Sequence, residues 1–207
     1  MEVLKILILS KLLILLHFRS KGSLILVGGD PGVGKSTLLL QMAAMIAEGH
    51  DLGRSAPVVY VSGEESMEQI GSRADCLSIG TEELYLYSST DIEDILEKIQ
   101  ALSPRALIVD SIQTVYLKGV AGSAGGLSQV KERTSALLRF AKKTNIPVLL
   151  IGHVTKSGEI VGPRVLEHIV DVVLYLKVGT FFDISFVVLV VDLLKLWHKR
   201  SISFSVF

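Results

Sequence analysis

Short uninterrupted apolar runs recur along this chain, each ended by a glycine or a polar residue. They alternate with stretches whose apolar positions fall at helical spacing. The runs at residues 23–27, 58–62, 84–87, 106–110, 148–152 and 172–176 read as six strands. Residues 37–46 read as a helix of strong helix formers, and residues 66–76 as a second. Thr90, Asp91, Ile92 and Glu93 have capping-box spacing and open a helix with Ile92, Ile95, Leu96, Ile99 and Leu102 on one face. Pro104 closes it. Residues 129–144 form an amphipathic helix with Val130, Leu137, Leu138 and Ala141 inward, and residues 163–170 suit a short one. Strands without polar alternate positions must be covered on both faces. The pattern therefore predicts an α/β fold with a mostly parallel central sheet and helices on both sides.

The two ends break this rhythm. Residues 1–18 are rich in Leu and Ile, but Lys5 and Lys11 interrupt them and no apolar run approaches a membrane span. With no small-residue cleavage site ahead of the first strand, a peripheral amphipathic helix is the preferred reading. Residues 181–197 are nearly all apolar, then His198, Lys199 and Arg200 are basic. A spanning helix there would bury Asp183 and Asp192 at high cost, so a buried strand or tail helix is preferred and a membrane is not the expected partner. The chain divides into an apolar segment at 1–21, a core domain at 22–176 and an apolar tail at 177–207.

Composition changes this picture little. The 207 residues suffice for one sizeable core. Lys plus Arg and Asp plus Glu number 21 each, so no global basic field exists, although local loops can still be basic. Hydrophobic content of 49% and a mean hydropathy of +0.51 are high, and the ends supply much of the excess. Cys76 is the sole cysteine, which excludes an internal disulfide and any cysteine-cluster zinc site. A reducing, intracellular compartment fits.

The chemistry centres on Gly29, Asp30, Pro31, Gly32, Val33, Gly34, Lys35, Ser36 and Thr37, which fit G-x-x-x-x-G-K-[ST] in full. An apolar strand precedes this loop and a helix follows it, as a phosphate cradle requires. Glycines let backbone N–H groups turn toward phosphate oxygens, and the helix N-terminus adds partial positive charge. Lys35 would reach the β- and γ-phosphates, and the Ser36 hydroxyl would hold Mg²⁺. Asp110 ends an apolar strand, where a carboxylate orients Mg²⁺ and its waters. Glu64 and Glu65 directly follow a strand and could divide between water activation and favourable contact with a helix N-terminus. His153 ends the fifth apolar run, where it could sense the γ-phosphate or cap its strand.

Longer blocks resemble the ATPase core of the bacterial-type RadA (Sms) DNA repair family, within the RecA superfamily. They are residues 28–41; Tyr60-Val61-Ser62-Gly63-Glu64-Glu65-Ser66; Leu107-Ile108-Val109-Asp110-Ser111-Ile112-Gln113-Thr114; and Gly152-His153-Val154-Thr155-Lys156, leading into Gly162-Pro163-Arg164-Val165-Leu166-Glu167-His168. The resemblance covers residues 22–176. It implies a RecA-type P-loop fold binding ATP and Mg²⁺, with hydrolysis on single-stranded or branched DNA during branch migration, and hexameric rings. It further implies that the His153 strand lies between the P-loop and Asp110 strands, aiming His153 at the γ-phosphate beside Lys35. Glu64 matches the water-activating glutamate. Loops 117–128 and 154–163 correspond to DNA-facing loops, with Lys118, Lys156 and Arg164 as cations able to meet phosphates.

The departures are specific. The family's four-cysteine zinc finger, its Lys-Asn-Arg-Phe-Gly motif and its Lon-protease-like domain do not occur; Lys177-Val178-Gly179-Thr180-Phe181-Phe182 stands where the motif belongs. The ends match nothing in the family, and a chain truncated at both ends is expected. Nucleotide binding needs only the matched core, whereas hydrolysis and ring assembly in the family draw on the missing motif. Two alternatives follow: a hydrolysis-deficient nucleotide-binding fragment, membrane-associated through its apolar ends, and another RecA-superfamily ATPase such as a clock-type autokinase. The expected location is cytoplasm or nucleoid in a bacterium, and chloroplast or mitochondrion in a eukaryote.

Overall fold

All six apolar runs form strands of one sheet. The computed structural model describes residues 22–50, 53–119, 127–153, 166–181, 184–192 and 201–204, with backbone alone for Leu127, His153 and everything after Leu176. In chain order the elements are β1 (Leu24–Gly29), α1 (Lys35–Ala47), β2 (Val58–Ser62), α2 (Met67–Cys76), β3 (Leu84–Ser88), α3 (Ile92–Leu102), β4 (Ala106–Asp110), α4 (Leu127–Thr144), β5 (Val148–His153), β6 (Val172–Phe181), β7 (Ile184–Asp192) and β8 (Ser201–Phe204). The strand order is β3-β2-β4-β5-β1-β6-β7-β8. From β3 through β6 every pairing is parallel, while β7 and β8 add antiparallel strands.

Alternate strand residues feed two separate cores. Ile25, Val27, Val58, Tyr60, Ile108, Leu149 and Ile151 face α1 and α2. Leu24, Leu26, Val59, Val61, Leu107, Val109, Val148 and Leu150 face α3 and α4. Burial on both faces explains why no polar residue alternates through these strands. The chain walks outward from β1 to β2 and β3, then returns through β4 and β5. Crossovers of one hand place helices on opposite faces when that direction reverses, and the helices divide accordingly. α1 is apolar nearly all round, and Leu38, Leu39, Leu40, Met42, Ala43 and Ile46 are all buried.

Three local expectations change. The cap of α3 is Asp91, whose side chain accepts from the Glu93 N–H at 3.0 Å, rather than Thr90. Asp91 also bridges to Tyr116 in extended backbone, and this pairing moves the helix start one residue on. The capping box lies instead at α2, where the Ser66 hydroxyl accepts from the Gln69 N–H at 3.3 Å and the Gln69 side chain from the Ser66 N–H at 2.9 Å. β6 continues past Leu176 to Phe181, and β7 and β8 are strands, so the strand alternative holds for these parts of the tail. The expected peripheral helix at 1–18 lies outside the described residues, as do residues 163–165 of the expected short helix at 163–170; residues 166–170 form a single turn, closed by the Val170 N–H on the Leu166 carbonyl at 3.0 Å. Among the described residues no helix is long and apolar enough to cross a membrane.

The revised cap is testable. Asp91→Ala should cost about 1 kcal/mol of unfolding free energy in urea, and Thr90→Ala less than about 0.5 kcal/mol. The pair with Lys118, then the cap, hold the Asp91 carboxyl below its usual range. Its stabilisation is therefore present above the unfolded-state value and lost as pH falls through the depressed one, so the Asp91→Ala deficit should shrink below about pH 4.

Candidate active site

Parallel pairing brings the carboxyl ends of β1, β2, β4 and β5 to one edge. Ser62 is level with Asp110, Gly28 with Gly152, and Gly29 with His153. This is where an open α/β sheet holds its ligand. β5 lies between β1 and β4, the order expected for the strand bearing His153. The backbone of His153 therefore sits beside the P-loop, while its side chain lies outside the described residues.

Residues 30–34 arch over the end of β1 and deliver the chain into α1. Gly34 caps α1 with a φ of 85°, and Gly32 has a φ of 81°; a Cβ added at either would meet nothing within 4 Å. α1 has neither a side-chain cap nor an acidic residue in its first turn. Its leading N–H groups thus face an open, electropositive hollow suited to phosphate oxygens. Gly29 serves differently, because a Cβ there would lie 2.5 Å from the Leu176 carbonyl oxygen of β6. Ser36 and Thr37 are half-buried at the start of the helix.

Lys35 is 3% exposed, and its Nζ donates to the carbonyls of Gly29 at 2.9 Å and Asp30 at 2.8 Å. Burial lowers its pKa from the ordinary lysine value, partly opposed by the charges of Asp110, Asp30 and Glu64. The lysine, the strand-end aspartate and the glutamate after β2 therefore share one electrostatic site.

Asp110 is likewise 3% exposed. Its Oδ2 accepts from the Tyr60 hydroxyl at 2.6 Å, while Oδ1 is buried without a hydrogen-bond partner among the described residues. Burial raises the Tyr60 phenol pKa, reinforced by the Asp110 charge and hydrogen bond, so the hydroxyl stays a donor. The two glutamates occupy different surroundings. Glu64 Oε1 accepts from the Ser111 hydroxyl at 2.7 Å, directly beside Asp110. Glu65 Oε2 pairs with Arg73 Nη2 at 2.7 Å. The buried Ser62 hydroxyl organises their turn by accepting from the N–H groups of Glu64 at 3.2 Å and Glu65 at 3.0 Å.

The donor set fits a magnesium–phosphate ligand. Asp110 Oδ1 is a buried acceptor with capacity to spare, and the Ser36 hydroxyl stands at the head of α1. Among the described residues no group of three or more His, Cys, Asp or Glu could hold a metal ion. A hard cation here would draw its other ligands from phosphate and water, the usual habit of Mg²⁺.

Of the expected DNA-facing cations, Lys118 is described. It pairs with Asp91 at 2.5 Å. Lys156 and Arg164 lie outside the described residues, as does most of the loop at 117–128. The sequence reading overlooked Tyr60, Arg73 and Ser111. Tyr60 alone carried a signal, as the single phenol in a buried aliphatic strand, since a buried tyrosine hydroxyl ordinarily finds a partner.

Residues 11–159 match the family model described as AAA domain. The DNA repair protein RadA of Bacillus subtilis is 51% identical over 157 residues, which is 76% of this chain and 33% of that protein. RadA of Listeria monocytogenes is 49% identical over 156 residues, 75% of this chain and 33% of that protein. The chain thus spans about a third of the length of these relatives. A KaiC-like protein from Pyrococcus horikoshii superposes with a TM-score of 0.65 at 16% identity, covering 88% of this chain and 84% of that one. The flagellar accessory protein FlaH from Methanocaldococcus jannaschii gives 0.61 at 15%, covering 89% and 85%. These two likenesses concern the fold, which is of the RecA type.

The close approach of β1 and β6 makes a sharp expectation. Gly29→Ala should lower the unfolding free energy by about 1–3 kcal/mol, because backbone rather than a movable side chain opposes the added methyl. Gly71→Ala, where an added Cβ meets nothing within 4 Å, serves as the control and should be neutral or mildly stabilising in the same urea titration.

Proposed function

Because this chain belongs to the AAA domain family, in the branch typified by the RadA repair proteins, we propose that it binds Mg·ATP at the edge formed by residues 29–37, Glu64 and Asp110. The proposal includes hydrolysis of the γ-phosphate and its coupling to single-stranded or branched DNA in recombinational repair. One observation carries the reading. A buried lysine held by the carbonyls of its own loop and a buried strand-end carboxylate, one oxygen of which no described residue engages, stand at the sheet edge where a helix N-terminus has no side-chain cap.

Each residue then has a task. Lys35, held by the Gly29 and Asp30 carbonyls, would swing to the β- and γ-phosphate oxygens and neutralise them. The leading N–H groups of α1 would cradle the same phosphates. Ser36 and, through water, Asp110 Oδ1 would hold magnesium, which when bound neutralises charge on the transferring phosphate. Glu64, steadied by Ser111, would orient and deprotonate the attacking water. The work is positioning and charge stabilisation, with no covalent intermediate on the protein. His153 would read the γ-phosphate from the end of β5. Lys156 and Arg164 would meet DNA phosphates, joined by Lys118 if DNA displaces Asp91 from it.

The test is binding and turnover by purified chain, with and without single-stranded DNA. Lys35→Ala should weaken Mg·ATP binding at least about tenfold and abolish turnover. Glu64→Gln should keep binding while lowering turnover by about 10²–10⁴. DNA should accelerate the wild type alone. Binding without turnover would confine the function to nucleotide binding, and wild-type binding equal to that of Lys35→Ala would overturn the reading.

A further inference from the structure

Asp110 has two oxygens, and only one can be offered to the cation side if the other is already engaged. Tyr60 decides which. It lies on β2, paired with β4 in the register that sets Ser62 level with Asp110, and it is fully buried among the apolar residues facing α1 and α2. Its hydroxyl donates to Asp110 Oδ2 at 2.6 Å. Oδ1 remains buried with no hydrogen-bond partner among the described residues. A carboxylate engaged only for packing would satisfy both oxygens, because each buried unsatisfied acceptor costs free energy. The asymmetry is informative for that reason.

The phenol is itself held. Arg73, on α2, points Nη2 at the Tyr60 oxygen from 3.4 Å and pairs through the same nitrogen with Glu65 at 2.7 Å. A line of contacts therefore runs Glu65, Arg73, Tyr60, Asp110 across the back of the site. Glu64 stands apart from this line, on the Ser111 hydroxyl. The adjacent glutamates thus have different partners: Glu65 the Arg73 guanidinium, and Glu64 the Ser111 hydroxyl.

We propose that Tyr60 is the positioning residue of the metal-side carboxylate, fixing Asp110 by Oδ2 so that Oδ1 alone meets a magnesium-bound water, with Arg73 and Glu65 fixing the phenol. This deepens the Mg·ATP reading and rests on it. Outer partners of this kind tune cation affinity without touching the cation.

The experiment titrates Mg²⁺ against binding of a fluorescent, non-hydrolysable ATP analogue to the full chain, and repeats the binding in EDTA. Tyr60→Phe keeps the ring and removes only the hydroxyl. The Mg²⁺ concentration for half-maximal binding should rise at least about tenfold, while affinity in EDTA stays within about twofold of wild type. Arg73→Met, at a partly exposed position, should give a smaller rise of about threefold. An unchanged Mg²⁺ requirement in Tyr60→Phe, or equal losses with and without Mg²⁺, overturns the proposal and leaves the nucleotide site intact. If Tyr60→Phe does not fold, Arg73→Met decides: a raised requirement supports the proposal and an unchanged one overturns it. Wild-type binding indifferent to Lys35→Ala would instead overturn the underlying reading, a distinct result.

Discussion

Two opposite charges buried at one sheet edge constrain the rest of this molecule. Lys35 and Asp110 are each 3% exposed, and taking such groups from water costs several kcal/mol apiece unless neighbours compensate. The compensation is local and partial. Lys35 leans on two carbonyls of its own loop, and Asp110 on one phenol. Burial still outweighs the three nearby carboxylates and holds the lysine's pKa below its ordinary value, and one oxygen of Asp110 has no partner among the described residues. A phosphate carrying a divalent cation would complete both groups.

The sheet makes this arrangement possible. Strands covered on both faces put their polar residues only at their ends, and parallel pairing puts equivalent ends together. Ser62 beside Asp110 and Gly29 beside His153 are direct products of register. The reversal of strand order then lets the loops after β1 and β4 leave on opposite faces, which opens the hollow between them. Glycine serves twice at this edge, in the left-handed turn at Gly34 and in the contact between β1 and β6 at Gly29.

Much of this was legible because the physics is local. The continuous apolar runs of β1, β2 and β4 are buried throughout, as such runs predict, while β3 carries the same pattern at the sheet edge and is partly exposed. The loop at 29–37 declared its chemistry through residue type and spacing. The family resemblance supplied the placement of β5 between β1 and β4, which periodicity alone could not give. The cap of α3 was misplaced by one residue because Asp91 bridges to Tyr116, a contact distant in sequence. Lys118 looked like a free basic group, yet it pairs with that same cap residue. The separation of Glu64 from Glu65 depends on Ser111 and Arg73, one on another strand's exit and one on a helix. Adjacent identical residues carry no sequence signal of such a division. The strands after Leu176 were ambiguous because an apolar run of that length suits either a buried strand or a helix.

The central claim is that the buried lysine and the half-satisfied aspartate are completed by one ligand. The most direct measurement is a crystal structure of the chain with magnesium and a non-hydrolysable ATP analogue. The account predicts that Lys35 Nζ leaves the carbonyls of Gly29 and Asp30 for the phosphate oxygens, with a magnesium-bound water on Asp110 Oδ1 and the Tyr60 contact to Oδ2 unchanged. A nucleotide bound elsewhere, or one bound while Lys35 keeps its loop contacts and Asp110 Oδ1 stays without a partner, would contradict it.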